Sequence, residues 1–302
     1  MMPLFPKFKK VEIADRAEIK KFTRSFPPYS DFNFTSMLGW GHHSNIKIAT
    51  YNKNLVVRFK DYNSSKIYYA LIGNHALGEA IQLILSWKKK RPGDARLHLL
   101  PSEVIRDLDK NAFDTKEEVN NHDYVYALDK LVSLQGAQFK KKRNLLKKFM
   151  ERYGAHASVK QIPLHYVATK RIVLGIFRQW AKAKHPSKDR WTNEYHALRR
   201  LLQYADILKL YAHGLFIDNV MVGFAINERI SKKYVMCHYE KIARRESGIG
   251  EFFIHSLATI FNKKRFIYLN YQQDLGLDGL RLKKRLLRPA YLLKKYSVGL
   301  KS

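Results

Sequence analysis

The order in which strand and helix patterns follow one another constrains this chain more than any single residue does. Residues 208–215, 220–228 and 233–240 read as three consecutive strands, each with the apolar run or period-2 alternation of a sheet. Asp218 and Asn219 separate the first two, where a two-residue hairpin turn needs side chains that tolerate positive φ. The third strand leads through Arg245-Glu-Ser-Gly248-Ile-Gly250 into a helical pattern over 248–261, then a strand at 265–270, a helix at 278–287 and a strand at 291–296. The first half has the same rhythm. Residues 55–59 and 67–72 pair across the turn-rich 61–65, a helix over 76–89 stops at Pro92-Gly93, and a strand at 97–100 precedes a helix at 102–108 with Ser102 as its N-cap. Further helices are predicted at 11–22, 139–153 (closed by Gly154), 169–184 and 193–204, and a strand or turn at 124–126. A chain that alternates hairpin, strand, helix, strand and helix twice is α/β or α+β, with a mixed twisted sheet flanked by helices in each half. Gly154 and Pro163 punctuate the pattern, which places the units at 1–158 and 159–302.

Charge narrows the partners. Lys and Arg number 56 against 26 Asp and Glu, a formal +30, yet 46% of residues are hydrophobic, so the surplus is not that of a disordered tail. Basic clusters recur at 88–91, 140–148, 199–200, 244–245, 263–265, 283–285 and 294–295, spread over both halves as a surface for a large polyanion, nucleic acid or an anionic membrane. The single cysteine, Cys237, excludes an intrachain disulfide and a thiolate zinc cluster and fits a reducing compartment. The start is basic with no apolar segment behind it, and no stretch nears the ~20 apolar residues of a membrane span. A cytoplasmic protein, at most peripheral at the inner face of the membrane, is expected. His42-His43, His75, His122, His156 and His165 show no ligand spacing, so no metal is expected. The absence of a Gly-x-Ser-x-Gly elbow and of a P-loop removes the hydrolase and P-loop NTPase classes.

The most specific local pattern is Arg245-x-x-Gly248-x-Gly250 between strand and helix. It resembles the loop on which GNAT acyltransferases hold a pyrophosphate, with glycines admitting backbone N–H groups to phosphate oxygens at a helix N-terminus. The plain alternative is a glycine turn into a helix. Two longer blocks carry a wider resemblance. One runs Asp123-Tyr-Val-Tyr126, Leu134-Gln-Gly136, Lys141-Lys-Arg143-Asn144 and Phe149; the other is Asn270-Tyr-Gln-Gln273-Asp274-Leu-Gly276 with Gly279-Leu-Arg281, Lys284 and Pro289. With Asp31-Phe-Asn-Phe34-Thr35, Trp40, Asn193-Glu194 and His238-Tyr-Glu240-Lys241, they look like the phosphatidylglycerol lysyltransferase C-terminal-domain family and its standalone bacterial members, over residues 26–298. That resemblance implies two tandem GNAT-like units, similar to the Fem peptidyltransferases, and transfer of an amino acid from aminoacyl-tRNA to a lipid hydroxyl. The donor ester already stores the energy, so no cofactor, metal or obligate protein partner is implied. Gln272 stands where relatives commonly carry an acidic residue, and Leu286-Leu287 where small polar and aromatic residues are usual, which leaves the amino acid open. The flippase to which lipid-modifying relatives join this domain has no counterpart here, which leaves the acceptor open.

Roles follow residue by residue. Asp274 is a candidate to orient the attacking group or bind the donor's α-amino group, or only a cap for its turn. Arg281 and Lys284, three apart on a helix, share a face suited to phosphate or a developing oxyanion. His238 and Glu240, two apart on a strand, are expected on one side of the sheet as a catalytic acid/base pair, against a core histidine and a surface ion pair. Asn270 and Gln273 are candidate substrate contacts. Arg143 and Asn144 present a basic face, or a solvated helix side. Arg245, Gly248 and Gly250 are the candidate phosphate loop. The expected function is aminoacyl-tRNA-dependent transfer to a membrane phospholipid or another hydroxyl or amine. An acyl-CoA-dependent N-acyltransferase and a non-catalytic RNA- or membrane-binding pair are the alternatives.

Overall fold

Short left-handed turns set the register in two of the sheets. Asp218 and Asn219 take φ of 49° and 62°, as a type I′ hairpin demands, and Val220 pairs with Ile217 directly across them. Asn52 and Lys53 do the same at 46° and 57°, although Tyr-Asn-Lys-Asn lacks the glycine that flags such a turn. The strand before it, Lys47–Tyr51, is therefore absent from the sequence expectation.

The computed structural model describes residues 1–41, 45–60, 66–90, 94–184 and 189–301. His42-His43, the turn at 61–65, Arg91 and the Pro92-Gly93 stop lie outside the described residues. In chain order the strands are β1 (Lys9–Lys10), β2 (Lys47–Tyr51), β3 (Asn54–Lys60), β4 (Ile67–Ile72), β5 (Leu97–Pro101), β6 (Phe113–Glu117), β7 (Asp123–Ala127), β8 (Ala157–Ile162), β9 (Leu210–Ile217), β10 (Val220–Arg229), β11 (Tyr234–Ile242), β12 (Tyr268–Asn270), β13 (Tyr291–Leu293) and β14 (Lys295–Leu300). The helices are α1 (Arg16–Thr23), α2 (Phe34–Trp40), α3 (Leu77–Lys89), α4 (Ser102–Ile105), α5 (Leu128–Ser133), α6 (Lys140–Tyr153), α7 (Val167–Lys184), α8 (Asp189–Gln203), α9 (Ala205–Leu208), α10 (Ile249–Lys263) and α11 (Asp278–Leu286). No helix among the described residues is long and apolar enough to cross a membrane.

The chain forms two compact units, Met1–Asp123 with Gln273–Asp278 and Leu292–Ser302, and Tyr124–Gln272 with Gly279–Tyr291. They divide elsewhere than at residue 158 because β7 pairs with β12, Tyr126 opposite Leu269, and Phe149 of α6 stacks on Phe252 of α10 at 5.0 Å. The first unit has a β1-β2-β3-β4 sheet and a three-stranded sheet in which β14 lies between β5 and β6. Ala80, Ile81, Ile84 and Leu85 give α3 one apolar stripe, which joins Val56, Leu71, Leu97 and Val298 in the core.

The second unit is built on the order β13-β7-β12-β11-β10-β9-β8. One face receives Ile249, Phe253, Leu257 and Phe261 of α10, spaced as a helix stripe; α7 packs against β10 and β11. β11 and β12 run parallel, joined by α10, and only Tyr234, Val235 and Met236 of β11 pair with β12. Beyond Met236 the pairing ends with β12 itself, at Asn270. This is the hairpin, strand, helix, parallel-strand order expected of a GNAT unit.

Three local expectations change. Ser102 opens α4 without capping it, the cap position being Pro101, and its Oγ lies 3.1 Å from the Tyr29 hydroxyl. Gly154 ends α6 at a right-handed φ of −57°; it is glycine because a Cβ there would lie 2.4 Å from the Met150 carbonyl oxygen. The strand expected at 291–296 is two strands that serve different sheets, β13 and β14.

The first unit is tied together by a buried ammonium. Lys295, fully buried at the start of β14, donates to Asp31, to Asp123 Oδ1 at 2.9 Å and to Ser30 Oγ at 3.5 Å. Asp123 also accepts the Ser30 N–H and hydroxyl, both at 2.6 Å, and Gln273 Nε2 donates to Asp31 at 3.3 Å. Burial alone would lower the Lys295 pKa, but the carboxylates of Asp123 and Asp31 outweigh it and hold the ammonium above the ordinary lysine value. A folded-state value above the unfolded one means the contribution is intact at neutral pH and is lost as pH climbs beyond the lysine range. Lys295→Met leaves two buried carboxylates without their cation and should cost about 3–5 kcal/mol, read as a lower urea midpoint for the whole chain.

Candidate active site

One extra residue decides which side chains of β11 can work together. Ile226 of β10 pairs with Tyr239, but its neighbour Asn227 pairs with Cys237, so His238 is the additional residue of a β-bulge. Simple alternation would put His238 and Glu240 on one face; the bulge breaks it. Glu240 lies opposite Ala225 and Cys237 opposite Asn227, so Glu240 shares the α10-covered face with Cys237. His238 turns to Glu228 instead, with Nε2 3.1 Å from Oε2 and both side chains at most 4% exposed, and Gln272 Nε2 stands 3.3 Å from its Nδ1. The two residues do not form the acid/base pair that strand spacing suggests.

Glu240 has partners of its own. Its carboxylate accepts from the Tyr271 hydroxyl and, at 2.9 Å, from Lys283 Nζ. Burial and then the Glu240 charge push the Tyr271 phenol well above its ordinary pKa, so it remains a protonated donor. The same carboxylate is the largest cause holding Lys283 above the ordinary lysine value. Glu240 is 6% exposed and Lys283 45% exposed, so the pair runs from the interior to solvent.

Cations gather beside this pair. Lys241 Nζ binds Glu194 at 2.7 Å and lies 3.6 Å from the centre of the Trp180 ring, which Lys184 approaches at 5.7 Å. Partial burial, followed by the charges of Lys283, Lys241 and Arg245, holds Lys184 below the ordinary lysine value. Lys184 thus feels three other cations, while Glu194 is paired with Lys241 and Glu240 with Lys283. Glu194, Lys241 and Tyr271 stood in the sequence blocks and Lys283 in a basic cluster without a role of their own, and Trp180 and Lys184 were not singled out at all. For Lys283 the further signal was that it adjoins Lys284 on α11, a quarter turn away.

Lys284 itself is spent inside the protein. Its Nζ donates to the Tyr271 and Gln272 carbonyl oxygens at 2.5 and 2.9 Å and lies over the Tyr124 and Tyr271 rings, while its own carbonyl oxygen accepts from Tyr126 Oη at 2.8 Å. It clamps the end of β12. Arg281, one turn earlier, is half-buried. Asn270, fully buried, accepts the Gln272 N–H at 2.7 Å and supports the left-handed φ of 57° at Gln272. The block 270–274 is divided: Asn270 belongs to the second unit, Gln273 and Asp274 to the first. Asp274 is fully buried and its Oδ1 accepts the Gly276 N–H at 2.9 Å.

The glycine loop is occupied by the protein's own groups. Arg245 donates to the Ala183 carbonyl oxygen at the end of α7. Gly248 takes φ of 84°, and a Cβ there would lie 2.2 Å from the Leu145 carbonyl oxygen of α6, so packing explains this glycine. A Cβ on Gly250 would meet nothing within 4 Å. In the first turn of α10 Glu251 is paired with Lys142 at 2.7 Å, which places a carboxylate at the positive end of the helix. Arg143 donates to the Leu134 and Gly136 carbonyl oxygens and closes the end of α5, leaving Asn144 exposed beside it. Among the described residues no three or more His, Cys, Asp or Glu converge to hold a metal ion.

Comparison with known proteins agrees with this architecture. The family model described as phosphatidylglycerol lysyltransferase, C-terminal, matches residues 23–299, and the chain belongs to that family. A conserved protein of unknown function from Bacteroides thetaiotaomicron shares the fold at 24% identity with a TM-score of 0.83, over 100% of both chains. The C-terminal domain of an Agrobacterium fabrum protein described as a lysylphosphatidylglycerol synthetase is similar at 10% identity and TM-score 0.64, over 96% of this chain and 93% of that one. L-PGS from Bacillus licheniformis is similar at 12% identity and TM-score 0.62, over 96% and 92%. No curated protein matches the sequence.

The two glycines of the loop should separate on substitution. Gly248→Ala forces a left-handed alanine into a carbonyl oxygen and should cost at least about 2 kcal/mol. Gly250→Ala, in open helix, should stabilise by about 0.5–1 kcal/mol; chemical denaturation of both variants reads the difference.

Proposed function

We propose that this member of the phosphatidylglycerol lysyltransferase C-terminal family moves an amino acid from aminoacyl-tRNA to a hydroxyl or amine acceptor, with a phospholipid headgroup as its first candidate. The observation that carries the reading is that two carboxylates, Glu194 and Glu240, are bound to Lys241 and Lys283, whose charges Lys184 feels together with that of Arg245. A polyanion ending in an ester with a free ammonium needs cations for its phosphates and a carboxylate where proton or ammonium must be held. In this reading Lys184, Lys241 and Arg245 attract the donor's phosphates. Lys283, half-exposed, is available to the ester carbonyl oxygen as negative charge develops there.

The step balances without a co-reactant. The acceptor hydroxyl gives its proton to Glu240 and its oxygen attacks the ester carbonyl. The bond from that carbon to the ribose oxygen then breaks, and the ribose oxygen recovers the proton. Tyr271, protonated and bonded to Glu240, keeps the carboxylate in place through this exchange. For the acyl-CoA alternative, Arg245 is already bonded to Ala183 and Glu251 already stands at the helix N-terminus, both unfavourable to a pyrophosphate. The open Gly250 position is the feature in its favour.

Transfer of label from a mixed pool of charged tRNAs into a lipid extract tests the proposal. Glu240→Gln and Lys283→Met should each lower the rate by about 100-fold or more, whereas unchanged rates would sink the assignment. Lys241→Met should weaken tRNA binding and reduce its salt slope by about 1. If only Asp274→Ala and Arg281→Ala abolish transfer, the chemistry lies with those residues. A rise in melting temperature with acetyl-CoA, and no transfer from tRNA, would favour the acyl-CoA reading.

A further inference from the structure

The outer side of α6 and α10 carries a groove with no part in the chemistry above. Leu146 and Met150 of α6, Val159 of β8, and Phe252 and Ile260 of α10 line it, all within the second unit. Of its three polar members, His255, Ser256 and Thr259, two bond within the protein: the His255 ring lies 3.1 Å from the Val132 carbonyl oxygen, and Thr259 Oγ1 donates to the His255 carbonyl oxygen at 2.9 Å. The groove therefore offers a ligand apolar surface and few hydrogen bonds. Met150, at 44% exposed, is a large apolar side chain left at its rim.

The surroundings are strongly basic. α6 reads KKKRNLLKKFMERY, seven Lys and Arg against the single Glu151, which lies 3.7 Å from Lys147. Lys263 in the last turn of α10 adds a further cation one turn beyond Ile260. An apolar trough bordered by cations fits a ligand with an apolar body and an anionic head. A second copy of this chain fits poorly, because it would bring the cations at the rim face to face. An RNA has no apolar segment for the trough. We infer that this face docks on an anionic lipid bilayer, with an acyl chain entering the groove between α6 and α10 and Lys147 and Lys263 meeting the headgroups. The inference does not depend on aminoacyl transfer, and a non-catalytic protein could dock in the same way.

Sedimentation with phosphatidylcholine vesicles, with and without phosphatidylglycerol, tests it on the full chain. Binding is expected only with the anionic lipid. Met150→Asp, at an exposed position, should weaken it about ten-fold, and Lys147→Glu with Lys263→Glu by at least as much. Thermal melts identify any variant that fails to fold, and Ile260→Ser then serves in place of Met150→Asp. Equal binding by the wild type and the folded groove variants would overturn the proposal, since charge alone would then account for docking. Binding to neutral vesicles as strong as to anionic ones would also overturn it. Transfer to a short-chain, water-soluble acceptor separates this from the catalytic reading: groove variants should retain it, while Glu240→Gln should not.

Discussion

The Lys295 ammonium and the carboxylates of Asp31 and Asp123 hold the first unit in one arrangement. They bring together a 3-10 turn near residue 30, the start of β7 and the start of β14, three segments far apart in the chain. Two carboxylates and one ammonium do not cancel. The remaining charge is spread over hydrogen bonds from Ser30 and Gln273, and burial holds the Asp31 carboxyl above the usual carboxylate range even beside the lysine. Such a cluster is a poor source of net stability compared with apolar packing. Its use is selective, because β14 cannot slide along β5 and β6 without burying an unpaired ammonium. The register of Val298 in the core follows from that anchor.

The second unit depends on a smaller device. By inserting His238 the bulge in β11 changes the face on which everything after it stands. Glu240 meets Tyr271 and Lys283 on one side, while Tyr239 and Lys241 face α8 and α7 on the other, where the Tyr239 hydroxyl donates to the Glu194 carbonyl oxygen at 3.2 Å. A carboxylate and a lysine adjacent in sequence thus sit either side of a strand beyond the end of its parallel neighbour.

Much of the fold was legible. β3, β4, β9, β10 and β11, with the helices near 77–89, 167–184 and 249–263, follow from apolar periodicity because each has one face in a core and one outside it. β2 escaped notice because its turn uses Asn52-Lys53, with no glycine to mark it. The division between units was not readable from punctuation, since Gly154 serves the close approach of a helix carbonyl and marks no linker. At the site, residue type was a better guide than spacing. Glu240 was recognised, but its partners depend on the bulge, which no local pattern in Cys-His-Tyr-Glu announces. Lys284 and Arg143 were credited with binding because they are charged. The structure fixes Lys284 on carbonyls inside the protein and Arg143 on the end of α5, and only the helix phase separates Lys283 from its neighbour.

The interleaving of the two units bears on how the chain comes to be made. β14, the middle strand of its sheet, is synthesised only after the whole of the second unit, so β5 and β6 must wait through nearly two hundred residues with their inner edges unpaired. Open strand edges on a nascent chain are sites of mispairing. Contacts of such long sequence separation also form slowly. The second unit has the shorter wait, needing only Gly279–Tyr291 after its main segment, so its last pieces are in hand before the first unit's closing strand arrives.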